Sequence, residues 1–516
     1  MGIVRNQSIK NSIYFYIGLA FGALSTIIFY PHAFNSNPEH WGLLQIIVAY
    51  SIVISTVSHL GSPKTLIRFF PKVKDNHQLI TLTFLIPAVG FLLVLLFFIL
   101  FKDIIFSLFE PEIGRFDKYE DFVVEMKTYS LLKLNIHLVF LLISFLSFFE
   151  VLSALSRSLL KTTIPIFLKE VFLKGMSIVL LFLHWFNYID FQLFLNLYIS
   201  LYLVMILILS FSIFSKFQYK ITFKFDDIES KRLLRFGLYV LGGGASAMLV
   251  SKVDMIMIQK FLGFKQVAFY TIAFFIGNVV RVPGRAIGSI ATPLIAKAWE
   301  RNDISEIKDI YIKSSINQLL VGGLIFLGVW LNIYDGLSLL PEKFQGGTLV
   351  VLFIALSQLF NVATGVNGQI IVNSKYYKFD LYSNFILLCI TLFANWIFIP
   401  ESSPLSSYHI VGINGAAFAT ALSVLVFNTM KLIFLYIKMG IQPFTFNTIK
   451  AIVLILIVYL SIDNITFPEN VFYSLPLRFL LLFALYLPLM LLFKISEDIN
   501  KIVNEVWNKY FRIGIK

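Results

Sequence analysis

Leu79-Ile-Thr-Leu-Thr-Phe-Leu-Ile-Pro-Ala-Val-Gly-Phe-Leu-Leu-Val-Leu-Leu-Phe-Phe-Ile-Leu-Phe101 is a run of 23 residues without a charge, its only hydroxyls at Thr81 and Thr83. A helix needs about 20 apolar residues to cross a bilayer. The run is too long and too continuous for a barrel strand, which alternates over roughly ten residues. Its reading is a transmembrane helix, and the rest of the chain repeats it. Of the 516 residues, 58% are hydrophobic and 14% charged. A soluble domain holds about 45–50% apolar and about 25% charged residues. This composition excludes an ordinary soluble enzyme, a disordered chain and a disulfide scaffold.

The pattern predicts an all-α, polytopic membrane protein with fourteen spans. They fall near 12–31, 41–60, 79–101, 128–150, 170–187, 191–214, 236–259, 266–294, 314–333, 347–372, 380–399, 412–436, 450–463 and 472–493. The thirteenth is short and ends at Asp463. A polar basic stretch, 215–235, divides the first six spans from the rest. The domain reading is a six-helix lobe over 1–214, a cytoplasmic linker over 215–235, a second six-helix lobe over 236–436, and two extra helices with a tail over 437–516. Segments 295–313 and 494–516 read as amphipathic helices on the cytoplasmic face.

With the N-terminus placed in the cytoplasm, 28 of the 42 Lys and Arg fall on inner segments, 7 on outer segments and 7 inside spans. That bias orients the chain with both termini inside, and it accounts for the net charge of +13 without a nucleic-acid partner. No segment outside the spans exceeds about 26 residues, too short for a nucleotide-binding domain, and no Gly-rich phosphate loop is present. Neither a two-histidine metal motif nor a Ser/His/Asp set is present, so no metal, cofactor or enzyme activity is expected. The lone Cys389 lies in an apolar run and reads as a buried structural thiol.

Ionisable groups inside a membrane face a cavity or a partner. Lys431 and Arg478 read as snorkelling to an interface, as do Lys133 and Lys174 near their span ends. Lys252 and Asp254 are two residues apart in the seventh span and point to different sides. Arg281 and Arg285 stand at i and i+4 in the eighth span, flanking Pro283-Gly284, with Asn278 on the same stripe. Two guanidiniums on one face repel unless an anion lies between them, and their forks fit phosphate oxygens. The two readings of this pair are an anion site in a cavity, or an interface anchor after Pro283 ends the span. Asn317, Gln318, Gln358, Asn361, Asn367, Gln369, Asn384 and Asn395 suit either interhelical hydrogen bonds or sugar hydroxyls.

Three stretches carry a resemblance. The first is Gln7-Ser-Ile-Lys-Asn-Ser-Ile with Gly18, Gly22-Ala23 and Arg68-Phe-Phe-Pro71. The second is Val253-Asp254-Met255, Phe261-Leu-Gly263 and Val267-Ala-Phe-Tyr270 with Ala273. The third is Gly412-Ile-Asn-Gly415-Ala-Ala-Phe-Ala-Thr420. Together they resemble the polysaccharide-biosynthesis exporters, Wzx-type flippases for O-antigen and related lipid-linked oligosaccharides. These share a superfamily with multidrug and toxic-compound extruders and with flippases of lipid-linked peptidoglycan precursors.

The resemblance implies two six-helix lobes around a central cavity, a V shape and alternating access. It implies export of an undecaprenyl-pyrophosphate-linked O-antigen, capsule or other surface-polysaccharide unit across a bacterial inner membrane. The implied partners are that lipid-linked substrate, the bilayer, H+ or Na+ as coupling ion, and polysaccharide-assembly proteins. Arg281 and Arg285 resemble the eighth-span arginines thought to hold the pyrophosphate. The peptidoglycan-precursor flippases also carry first-span arginines, whereas this chain has none between Tyr14 and Tyr30. That leaves Lys252 and Lys133 to substitute, with Asp254 pairing with a base in the empty cavity. The rival readings are a cation-coupled multidrug extruder and a membrane glycan polymerase or ligase.

Overall fold

The structure, a computed structural model, describes residues 2–71, 76–115, 118–215, 217, 219–222, 230–501, 503 and 505. Its described residues are helical, turn or coil, with no strand among them. In hydrocarbon a backbone must satisfy its own hydrogen bonds, and a continuous apolar run does this only as a helix.

Contacts divide the chain into two compact units, 1–272 and 273–516. The first unit holds α1 (Gly2–Ala23), α2 (Tyr30–Ala33), α3 (Pro38–Ser58), α4 (Ser62–Phe69), α5 (Asn76–Phe109), α6 (Tyr119–Leu134), α7 (Ile136–Ser158), α8 (Thr163–Phe167), α9 (Leu173–Trp185), α10 (Phe191–Phe214), α11 (Ser230–Leu262) and the start of α12 (Phe264–Asn278). The second holds the end of α12, α13 (Val282–Glu300), α14 (Ile304–Trp330), α15 (Ile333–Ser338), α16 (Thr348–Ala363), α17 (Asn367–Asn373), α18 (Tyr377–Phe398), α19 (Gly412–Met439), α20 (Phe446–Asp463) and α21 (Val471–Leu492). Of the expected 215–235 linker, residues 216, 218 and 223–229 lie outside the described residues, and its last residues, 230–235, already belong to α11.

Among the described residues, twelve helices are long and apolar enough to cross a membrane, thirteen if α16 and α17 form one span bent by 51°. The expected fifth span falls on a helical run broken by a π turn, α8, Leu168–Phe172 and α9, so the count of fourteen is approximate. The expected thirteenth span is α20, capped by a reciprocal Thr445–Thr448 box. Its fourth counterpart begins later than expected, because Asn135 separates α6 from α7.

Within the first unit α3 packs on α7 and α11, and α7 on α10. Glycines set the closest crossings. A Cβ on Gly42 would stand 1.8 Å from the Phe264 carbonyl oxygen, and one on Gly90 1.9 Å from that of Ser58. In the second unit Gly415 repeats the device against the Phe398 carbonyl, again at 1.8 Å. There α19 packs on α16 and α18, and α14 on α13, α16 and α20. Tyr486 of α21 donates to the Leu320 carbonyl of α14 at 2.8 Å.

Three features differ from the expectation set by the sequence. Segment 295–313 is no separate surface helix: α13 runs to Glu300, a turn with Asn302 at φ 55° follows, and Asp303 caps α14. Charges alternate there because two long helices end and begin within one stretch. Cys389 is exposed on α18, beside Phe385, Ile386, Leu392 and Phe393 on a flank that is apolar and open. An apolar run in a membrane helix has a lipid-facing side as well as a packed one. Arg478 does not snorkel but pairs with Asp335 at 2.7 Å, where Ser474 also donates. The tail is described only through 501, 503 and 505; its first turn is tied to α14 by Asn317, which bonds Asp498 at 3.0 Å and Ser496 at 2.6 Å.

Candidate anion-binding cavity

The second unit contains a polar cavity of about 390 Å³. Its first wall is the join between α12 and α13. A 3-10 turn, Val279–Arg281, links them, and Pro283 sits in the first turn of α13, where its missing N–H costs nothing. Helix therefore continues from Phe264 to Glu300, and Pro283 does not interrupt it. Arg281 and Arg285 both line the cavity. Asn278 ends α12 and lies off the cavity wall.

Glycines between and just after the arginines let amides approach. A Cβ on Gly284 would meet the Gln318 Oε1 at 3.2 Å, and one on Gly288 the Gln369 Nε2 at 2.8 Å. Gln318 and Gln369 both line the cavity, with Asn361, Asn367, Asn373 and Asn428. The chain uses part of this amide set internally. Asn367 Nδ2 and Thr364 Oγ1 both donate to Asn428 Oδ1, each at 3.2 Å, and Asn361 Nδ2 donates to Gln358 Oε1 at 3.2 Å. The buried Gln318 Nε2 makes no hydrogen bond among the described residues. A buried donor without a partner is rare in native folds and marks a position for a polar ligand. The break after α16 brings α17 to the wall: Gly365, at φ +63°, turns the chain where a Cβ would meet Ser314 Oγ and Ser315 N, each at 3.1 Å.

Lys431 closes the far wall, a residue the sequence reading sent to the interface. Its side chain is 6% exposed, its Nζ lies 2.8 Å from Asp380 Oδ1, and the ammonium stands 4.1 Å from the Phe427 ring centroid. Asp380 belongs to the first turn of α18 and also accepts from Asn384 at 3.1 Å. A basic residue near the end of an apolar span looks the same whether it snorkels or turns inward; the available signal was an acid near the start of the antiparallel neighbour. The wall thus carries three cations, Arg281, Arg285 and Lys431, with one carboxylate paired to the third. An excess of two positive charges lined by amides fits a polyanion with hydroxyls attached.

The other residues singled out from sequence lie in the first unit. Asp254 is buried in α11 and accepts the Tyr270 hydroxyl at 2.9 Å. Lys252 is half-buried two residues before it. Lys133 is in α6, ahead of the span that begins at Ile136. Its ammonium rests on ring faces, 4.6 Å from Tyr129 and 5.3 Å from Phe106. Lys174 is not a snorkelling residue either; it bonds Glu170 at 2.7 Å and the Gly18 carbonyl at 3.0 Å.

The family model described as polysaccharide biosynthesis protein matches residues 8–299. The chain belongs to this family. Among solved structures it is similar to the lipid II flippase MurJ in an inward closed conformation, at TM-score 0.71 and 13% identity, covering 94% of this chain and 98% of that one. It is also similar to an inward-facing multidrug resistance MATE family transporter of the MOP superfamily, at TM-score 0.62 and 14% identity, over 82% and 98% of the two chains. A third likeness is to a MOP superfamily transporter from Pyrococcus furiosus, described for the reverse polarity of its binding pocket, at TM-score 0.55 and 12% identity, over 84% and 95%. No curated protein sequence matches the chain. The protein is a multi-pass membrane protein with the fold of this superfamily.

Proposed function

We propose that the protein is a flippase that moves an oligosaccharide, carried on polyprenyl pyrophosphate, across a bacterial inner membrane by alternating access. One observation carries the reading: three cations and a set of amides converge on one cavity of a membrane protein whose family is polysaccharide biosynthesis. Arg281, Arg285 and Lys431 hold the pyrophosphate, and Gln318, Asn361, Asn367 and Gln369 meet sugar hydroxyls. Lys252 and Asp254 belong to the route on the first unit, while Asn278 and Lys133 support rather than line the anion site. The Lys/Arg bias places both termini in the cytoplasm, and an ion gradient of H+ or Na+ supplies the drive. O-antigen or capsule repeat units are the expected cargo class. The proposed boundary between the two six-helix lobes is the 215–235 linker, whereas contacts alone divide the chain after Ile272.

A cationic drug is a poor match for this cavity, because its lining carries an excess of positive charge. Family and fold favour a transporter over a glycan polymerase or ligase. Depletion of the protein in its host, followed by mass spectrometry of extracted polyprenyl-linked glycans, tests the reading. Accumulation of one complete repeat unit on polyprenyl pyrophosphate, protected from enzymes added outside, is expected. An unchanged lipid-linked pool would overturn the proposal.

A further inference from the structure

The second unit holds another polar cavity, of about 550 Å³, where α13 ends, α14 begins, α17 gives way to α18 and α19 ends. The orientation proposed above puts this end of the unit in the cytoplasm. Trp299 is fixed in its wall by an Nε1–H bond to the Ile370 carbonyl of α17, at 3.2 Å. Asn302, at φ 55° in the turn before α14, brings an amide to the same wall.

Two lysines line this cavity, Lys375 from the link between α17 and α18 and Lys438 from the last turn of α19. Both are exposed. No carboxylate stands among the lining residues, and among the described residues none lies within ion-pair distance of either ammonium. The Lys375 ammonium lies 5.2 Å from the centroid of the Tyr376 ring, a contact that orients a cation without neutralising it. The end of α19 offsets about half a charge beside Lys438. The cavity therefore keeps a net positive charge facing water.

Two helices connect it to the anion site. Asn373 of α17 lines both cavities, and its Nδ2 donates to the carbonyl of Gln369, one turn back and in the wall of the first. On α19, Lys431 lines the first cavity and Lys438 the second. They are two turns apart on one face, about 10 Å along the axis. Amides on α17 and cations on α19 thus run from the cytoplasmic cavity to Arg281, Arg285 and Lys431.

We propose that this cavity is a second pyrophosphate site, where the headgroup of the lipid-linked oligosaccharide docks from the cytoplasm before its phosphates pass inward. The inference rests on the flippase reading and adds a docking step to it, with Lys375 and Lys438 as the anion ligands.

The test uses the full chain labelled with 5-fluorotryptophan in phosphatidylcholine nanodiscs, the Trp299 fluorine resonance being assigned by its loss in Trp299→Phe. Inorganic pyrophosphate should shift that resonance. Half-saturation should need about tenfold more pyrophosphate in K375Q/K438Q, which lacks two exposed charge contacts, and should stay within twofold of wild type in R281Q/R285Q. A Trp299 resonance that does not move in the wild-type protein, or equal affinity in K375Q/K438Q, would overturn the proposal. A shift already complete in phosphatidylglycerol nanodiscs without pyrophosphate would assign the cavity to bilayer phosphate and overturn it as well. In the host, K375Q/K438Q should slow glycan export severalfold at unchanged protein level; full export would take the cavity off the substrate's path. An unchanged lipid-linked pool on depletion would overturn the flippase reading and the docking step together, even with Trp299 still reporting pyrophosphate, whereas loss of the Trp299 response overturns the second site alone.

Discussion

Glu125 offers the sharpest test of the structural reasoning. It sits in α6, outside the spanning helices, with 3% of its surface exposed. Its two carboxylate oxygens accept the backbone N–H groups of Phe264, at 2.8 Å, and Lys265, at 3.1 Å, at the start of α12. Gly263, at φ +91°, makes room for it; a Cβ there would stand 2.5 Å from the carboxylate carbon. Lys265 faces the group and pairs with Asp121 at 3.5 Å, while Glu39 of α3 acts on it as a like charge.

Burial pushes the Glu125 carboxyl from 4.5 up to about 7, against the opposing effect of the two N–H groups. The closed turn therefore holds a proton that the opened turn releases between those values. The free energy of opening is greatest below pH 4.5, falls as pH rises towards 7 and then levels. The fall is about 3 kcal/mol, from ~1.36 kcal/mol per pH unit. Hydrogen exchange of the Phe264 and Lys265 amides in lipid nanodiscs, corrected for the intrinsic pH dependence, reads this directly. Protection should drop by about two decades between pH 5 and 7.5. In Glu125→Gln, which keeps an acceptor oxygen but does not ionise, protection should stay flat. The same pH slope in both proteins would refute the assignment of the charge to Glu125.

Three further outcomes are expected. Charge reversal in R281E/R285E should abolish glycan export and trap the lipid-linked precursor, while the protein still reaches the membrane; undiminished export would remove both arginines from the site. Lys431→Met should lower thermal stability by about 3 kcal/mol, because it strands Asp380, and K431M/D380L should recover most of that loss without restoring export; a single variant as stable as wild type would show the pair to be ornamental. Gly42→Ala and Gly415→Ala should each destabilise by about 2 kcal/mol, since a methyl must displace a carbonyl oxygen now 1.8 Å from its position, whereas Gly336→Ala, with nothing nearby, should be silent in the same thermal melts.

The helices themselves were legible residue by residue. Hydropathy is a local property, and in hydrocarbon a run such as Leu79 to Phe101 has one way to satisfy its backbone. The i, i+4 spacing of Arg281 and Arg285 likewise placed both on one face, and both line one cavity. The amides Gln318, Asn361, Asn367 and Gln369 stood out as polar residues in spans before the fold gathered them. What the sequence could not supply was partnership across distance. Lys431 meets Asp380 from 51 positions away, and Glu125 meets Phe264 from 139. Neither separation follows any helical period, because both depend on which helices become neighbours. Facing was equally hidden: Cys389 lies on the open side of α18, Lys133 on rings of the first unit, and Asn278 off the cavity. A span's composition states that it enters the membrane; only packing against other helices decides which of its sides meets lipid, protein or cavity.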